Sequence, residues 1–228
     1  MTRLAQRQSP LGTIAQSVPR MRAILGNMRP TWHLRSIAEL GRDFLDRHGI
    51  RGVVWDVDGT LTRFHAAALA EEATALGRLL DDPGVRHAIL SNADERRFRE
   101  LGVIFPAIRV MKGYRVDGVL RMRVLHRGTD TLADAEALVA EGAVPLRKPD
   151  GDLMRATVAE LGLDPAEAVM VGDQYFTDIA GANLGGVRSI KVAAIGWEAL
   201  PPGIRFGQRV ERALYRVLHG APTWEDGG

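Results

Sequence analysis

The chain has 228 residues, 46% of them hydrophobic and 25% charged, with a formal net charge of +2, the composition of a globular protein long enough to bury a substantial core. The absence of cysteine excludes disulfides, thiolate nucleophiles and cysteine-ligated metals, and the small net charge excludes a whole-molecule attraction to polyanions. No apolar run approaches the roughly 18 residues needed to span a bilayer and no secretory core is evident, so the expected compartment is the cytoplasm.

Residues 1–33 read as a basic arm, in which Arg3, Arg7, Arg20, Arg22 and Arg29 occur with no acid among residues 1–30, interleaved with Leu11, Ile14, Val18, Met21, Ile24 and Leu25. Such a segment is either a solvated arm or a surface for anionic membrane. Residues 34–200 read as one core domain. Apolar residues at helical spacing predict a helix over 34–44, stopped at Gly49, before a buried strand over 52–55. A helix over 66–80, a turn at Asp82-Pro83-Gly84, a strand over 88–90 and a helix over 93–101 complete a βαβ unit. A strand near 108–111 leads into a segment of about 112–145 that reads as an insertion, with a hairpin at Asp117-Gly118 and a helix over 132–140. The pattern then resumes with a helix over 151–161, a capped turn at 164–167, a strand over 168–171, a helix over 177–184 and a strand over 189–192. Residues 201–228 read as a basic helix and tail. There Phe206, Val210, Leu214, Val217 and Leu218 recur at helical spacing, a stripe that either packs on its own domain or meets a membrane or a second copy. Short strands alternating with helices predict an α/β fold, a Rossmann-like doubly wound parallel sheet, whose active site lies beyond the carboxyl ends of the strands.

The pentapeptide DVDGT, Asp56 to Thr60, stands at one of those ends, directly after Val53-Val54-Trp55. Two carboxylates leaving a buried strand are costly unless a cation or a reaction uses them. Asp56 is the candidate nucleophile towards a phosphate, which a carboxylate attacks only when a cation bridges the two. Asp58, two residues on in an extended segment, is the candidate acid and base for the leaving oxygen and the attacking water, and Gly59 lets the chain turn. Ser91 and Asn92 end the second strand, where a hydroxyl and a backbone N–H can hold a phosphoryl oxygen near a helix start. With Gly59 and Thr60 they are the candidate phosphate-binding residues. Lys148 is one of only three lysines among 27 arginines, and its compact ammonium suits a phosphoryl oxygen and a carboxylate together. The third strand ends at Gly172-Asp173, with Asp178 five residues later. Asp56, Asp173, the backbone carbonyl of Asp58 and several waters suit octahedral Mg2+, with Asp178 as a brace.

In the order DVDGT, Ser91, Lys148-Pro149 and GDQYFTD, these motifs resemble the four motifs of the haloacid dehalogenase superfamily over residues 50–195. The resemblance implies a Rossmann-like fold, a phosphoaspartate intermediate and Mg2+. Asp58 is similar to the phosphatases of that superfamily rather than to its dehalogenases or P-type ATPases. GDQYFTDIAGANLGG and the segment 34–56 resemble subfamily IIIA, the branch that includes phosphatidylglycerophosphatases. Two features depart from that branch, which usually has Asn at the position of Gly59 and lacks most of the insertion.

Only 30 residues separate Leu61 from Ser91, too few for a helical lid. An uncapped site suits a bulky phosphorylated substrate, and the leading expectation is a phospholipid phosphate such as phosphatidylglycerophosphate, met at the inner face of the membrane by the basic termini. The alternatives are a phosphatase of soluble or macromolecular phosphomonoesters, with the insertion supplying specificity, and a non-catalytic scaffold on the same fold. The basic arms lack interleaved aromatics, so no nucleic-acid partner is expected.

Overall fold

A computed structural model describes residues 21–222. The basic arm expected over 1–33 is therefore described only from Met21, and Arg3, Arg7 and Arg20 lie outside the described residues, as do residues 223–228. In chain order the elements are α1 (Met21–Gly26), β1 (Trp32–His33), α2 (Arg42–Arg47), β2 (Gly52–Trp55), α3 (Gly77–Leu80), β3 (Arg86–Leu90), α4 (Glu95–Ile104), β4 (Arg109–Val116), β5 (Val119–His126), β6 (Thr129–Asp130), α5 (Ala135–Ala140), β7 (Val144–Pro145), α6 (Gly151–Glu160), β8 (Ala168–Gly172), α7 (Ala180–Leu184), β9 (Arg188–Lys191) and α8 (Pro202–His219).

The strands form one sheet in the order β1-β9-β8-β2-β3-β4-β5-β6, with β7 beside β4. From β1 to β4 every pairing is parallel. Alternate residues of β2 feed opposite faces: Val53 and Trp55 enter one apolar cluster with Phe44, Leu76 and Phe98, while Val54 enters the other with Met111, Met154 and Met170. Burial on both faces is why the strands read as continuous apolar runs rather than alternating ones. From β2 the chain steps outward through β3 to β4, then returns to place β8 on the other flank of β2. The strand order thus reverses between β2 and β8, the place where an open α/β sheet leaves a crevice at its carboxyl end.

The 112–145 segment continues this sheet. β4 begins parallel to β3 at Arg109–Met111 and runs on through Val116 into an antiparallel hairpin with β5, turning at Asp117-Gly118 as expected. The buried guanidinium of Arg123 fastens the hairpin to α4 through Glu95 at 2.6 Å and to β6 through Asp130 at 2.6 Å, and lies over the Phe98 ring.

Three expected helices differ. The one expected over 34–44 is split, because Ser36 and Glu39 close a capping box around a single 3-10 turn and Leu40 turns extended before Gly41 starts α2. The one expected over 66–80 is a loop, a 3-10 turn (Glu71–Leu76) and the short α3. The loop is pinned from outside, since Asp58 accepts from the His65 N–H at 2.9 Å and Arg97 donates to the Ala66 carbonyl at 2.9 Å. The one expected over 177–184 starts as a π-turn, Tyr175–Ile179, before α7.

The fourth difference is one of orientation. Helix α8 forms, yet Phe206, Val210, Val217 and Leu218 of its apolar stripe are exposed. The buried face carries Gln208, Glu211 and Tyr215 instead. Tyr215 stacks on Tyr175 at 4.3 Å between centroids and meets the edge of His33, and with Met28 and Ile179 these rings form a third cluster that joins the two ends of the described chain. Replacing Tyr215 with Ala removes a buried ring from this cluster and is expected to lower unfolding stability by about 3 kcal/mol in a urea titration. A loss under about 1 kcal/mol would show that α8 contributes little to the fold.

Candidate active site

The site is built at the reversal of strand order. Trp55 of β2 lies opposite Val171 of β8, and the Asp56 N–H continues the ladder to the Val171 carbonyl at 2.9 Å. Asp56 thus leaves β2 level with Gly172, and Asp173 follows one residue beyond on the adjacent strand. The chain after Asp56 closes at once into a knot of turns, with Thr60, Leu61 and Thr62 N–H groups all donating to the Val57 carbonyl. Gly59 sits there at φ 97°, where a Cβ would stand 2.9 Å from Asp173 Oδ2. Glycine at 59 thus serves both the turn and the close approach of the second carboxylate.

Gly172 does the same for the third. A Cβ there would stand 2.3 Å from Asp178 Oδ2, so only glycine lets the Asp178 side chain fold back under the strand end. Asp178 Oδ2 accepts from the Gln174 N–H at 3.0 Å, within the π-turn that carries it. One carboxylate oxygen from each of Asp56, Asp173 and Asp178 lies within 4.8 Å of the others, and all three residues are buried.

Lys148 enters this cluster from the loop before α6. Its Nζ donates to Asp56 Oδ1 at 2.6 Å and to Asp178 Oδ1 at 2.7 Å, with the side chain 2% exposed. The loop is held by Asn92, whose amide donates to the Lys148 carbonyl at 3.0 Å while its Oδ1 accepts from the Lys148 N–H at 2.8 Å. Asn92 is thus the fastener of Lys148, a contact between residues 56 positions apart. Burial alone would lower the Lys148 ammonium, but the Asp178 and Asp56 carboxylates hold it above its ordinary value. Burial raises Asp56 well above the usual carboxylate range against the pull of Lys148, and Asp178 and Asp173 add to the rise.

The three carboxylates share the Lys148 ammonium and, at longer range, the buried ammonium of Lys191, while the buried Glu211 carboxyl adds a fourth acid, so negative charge is in excess away from water. Such an excess is stable only with a compensating cation or bound protons. Asp173 Oδ1 is moreover buried with no hydrogen-bond partner. A divalent cation answers both the charge and the orphaned oxygen, and the all-oxygen donor set suits a hard ion.

The other expected residues lie around this centre. Thr60 Oγ1 donates to Asp56 Oδ2 at 3.4 Å. Asp58 turns towards α4, where its Oδ1 accepts from Arg97 at 2.8 Å, and the Arg97 side chain is 3% exposed. Ser91 lines a hollow together with Lys112, Tyr114 and Arg147. Two neighbours of the centre escape sequence reasoning. Arg97 is one arginine in the run Glu95–Glu100, with nothing to mark it, and Gln208 donates to Asp173 Oδ2 at 2.7 Å from a helix 35 residues away. The spacing 208, 211, 215 on one face of α8 was the available signal, although its polar members hide it.

A titration follows from this crowding. Burial, and then the Asp173 and Asp178 charges, push the buried Glu211 carboxyl up to about 8 from 4.5. A carboxyl raised on folding binds its proton more tightly in the folded state, so its contribution to stability is present at low pH and lost as pH rises towards about 8. Glu211→Gln keeps an acceptor for the Tyr175 N–H, which Glu211 now receives at 3.0 Å, without the charge. At about pH 8 this variant is expected to exceed the metal-free parent in stability by an amount on the order of 1 to 3 kcal/mol, the gap closing by about pH 5. Equal stability of the two proteins at both pH values, measured by denaturant unfolding, would contradict it.

A family model described as HAD-hydrolase-like matches residues 145–194, the stretch that holds Lys148, Asp173 and Asp178. Across most of its length the chain is similar to the "Probable phosphatase YqeG" of Bacillus subtilis, at 23% identity over 201 residues, covering 86% of this chain and 96% of the relative. Shorter similarities reach the "Pyrophosphatase PpaX" of Bacillus velezensis, 44% identical over 50 residues, and the "Phosphoserine phosphatase" of Thermus thermophilus, 42% identical over 55 residues. The chain spans about a fifth of those two relatives, 21% and 22%. The doubly wound sheet, the buried carboxylate cluster at its reversal point and these similarities agree: the chain is a phosphatase enzyme, similar over residues 145–194 to the HAD-like hydrolases.

Proposed function

We propose that the protein hydrolyses phosphomonoesters with Mg2+ and an aspartyl-phosphate intermediate. The observation that carries this reading is the shared ammonium: Lys148 joins the strand-end Asp56 to Asp178, with Asp173 completing the cluster. Asp56, Asp173 and the Asp58 carbonyl would hold Mg2+, with Asp178 as a brace, and the bound ion would supply the charge neutralisation that lets a carboxylate approach a phosphate dianion. Asp56 attacks phosphorus, the ester P–O bond breaks, and the leaving oxygen takes a proton from Asp58. Water then attacks the phosphoaspartate, Asp58 takes its proton, and phosphate departs with Asp56 restored. Lys148 stabilises charge on the phosphoryl oxygens, with Ser91, Asn92, Thr60 and the Gly59 turn placed around them.

The substrate proposed is a phospholipid phosphate such as phosphatidylglycerophosphate, in keeping with the subfamily IIIA resemblance. Helix α8 supports it from outside the site. Its solvent face combines exposed Phe206, Val210, Val217 and Leu218 with exposed Arg209 and Arg216, the makings of a helix that lies in an anionic interface. No helix among the described residues is long and apolar enough to cross a membrane, so contact with lipid is peripheral, at the inner face. A second reading, soluble or macromolecular phosphomonoesters, draws on the hollow beside Ser91 and on the phosphoserine phosphatase similarity.

The two readings separate in one experiment. Phosphate release is measured with Mg2+ from phosphatidylglycerophosphate in phosphatidylglycerol vesicles and from aryl phosphate, phosphoserine and nucleotide monophosphates. The parent is expected to sediment with the vesicles and prefer the lipid. Asp56→Asn is expected to lose at least about a thousandfold in kcat, and Lys148→Met about a hundredfold or more. Turnover of the soluble esters without vesicle binding would remove the lipid reading, and no Mg2+-dependent turnover of any ester would remove the phosphatase mechanism.

A further inference from the structure

Helix α8 presents its faces in an unusual way. Its apolar residues point outward, and the burial on its inner face is spent on an amide, a carboxyl and a phenol. Packing alone favours the opposite arrangement, because a buried amide must find partners or carry a penalty. Gln208 is 4% exposed and its Nε2 donates to Asp173 Oδ2 at 2.7 Å. One turn on, Glu211 receives the Tyr175 N–H, so the helix grips the strand-end loop on both sides of Gln174. Asp173 Oδ1 and Gln208 Oε1 are both buried with no hydrogen-bond partner.

We infer that Gln208 is a positioning residue of the metal site. By engaging Oδ2 it sets the plane of the Asp173 carboxylate and leaves Oδ1 as the oxygen offered to the cation, while its own Oε1 is an acceptor for a water ligand of that ion. The inference rests on the metal reading of Asp173 given above and goes beyond it, because it ties affinity for the cation to a helix outside the matched segment at 145–194. It also places the residue that orients a metal ligand on the helix whose opposite face is apolar and basic.

The test is direct titration of Mg2+ and Mn2+ into the metal-stripped full chain by calorimetry, with thermal unfolding of each metal-free protein as a parallel measurement. Gln208→Met keeps the length of the side chain and removes both the donor and the acceptor. It is expected to raise the dissociation constants about tenfold or more, as loss of an outer-shell partner does, while the metal-free unfolding midpoint changes little. Gln208→Asn, which withdraws the same amide by one methylene, is expected to act in the same direction and carries the test should the methionine variant fail to fold. Introducing Gln208→Met into Asp173→Asn is expected to cost no further affinity. Metal affinity within twofold of the parent, with a lowered metal-free midpoint, would overturn the inference and leave Gln208 a packing residue. Failure of the parent itself to bind either ion would overturn the metal reading, and the inference with it.

Discussion

The structure depends on one shared cation. The Lys148 ammonium lies 2.6 Å from Asp56 and 2.7 Å from Asp178, in a place from which water is excluded. Without it three carboxylates converge with only the more distant buried ammonium of Lys191 acting on them; with it the cluster still carries a net excess of negative charge. That residual charge has a direction, since it lies beyond the ends of β2 and β8, at the opening left by the reversal of strand order. A divalent ion and the phosphoryl group it accompanies are the natural completion of such a place.

Much of the rest of the molecule holds those four side chains against their tendency to separate. Two glycines are required by contact: at Gly59 and Gly172 a side chain would occupy the space of Asp173 and Asp178. Asn92 holds the main chain of Lys148 through two hydrogen bonds, so the end of β3 controls where the ammonium points. The segment after α1 and helix α8 close over the Tyr175 loop through Met28, Tyr215 and Gln208. Asp58 is held through its Oδ1 by Arg97 and the His65 N–H, which fixes the second aspartate of DVDGT from α4 and from the loop after the pentapeptide.

How much of this was legible in the sequence varies with the range of the interaction. The buried strands were legible because burial on both faces writes itself as runs such as Val53-Val54-Trp55, and the DG turn at 117–118 because it needs residues that tolerate positive φ. Lys148 was legible by composition, as a rare lysine in a chain rich in arginine. The helix expected over 66–80 was misread because its Ala-rich sequence suits a helix, while Asp58 and Arg97 compete for the backbone groups at His65 and Ala66. The stripe on α8 was legible as a stripe and not as to which way it faced. Periodicity finds the face of a helix without saying what lies beneath it.

By itself the sequence determined the order of the core strands β2, β3, β4, β8 and β9 and of helices α4 and α6, the placing of Asp56, Lys148 and Asp173 at the ends or loops of successive units, and the acidic, cysteine-free character of the site. These follow from local causes: periodicity, turn residues and residue chemistry. Only the tertiary structure decided that Asp178 shares the Lys148 ammonium with Asp56, that Asn92 serves Lys148, that Asp58 pairs with Arg97, and that Gln208 reaches Asp173. Each is a contact across tens of residues or through a backbone turn of unusual geometry, settled by strand register and by the room glycine leaves. No local pattern encodes them, because the partners become neighbours only when β8 comes to lie beside β2.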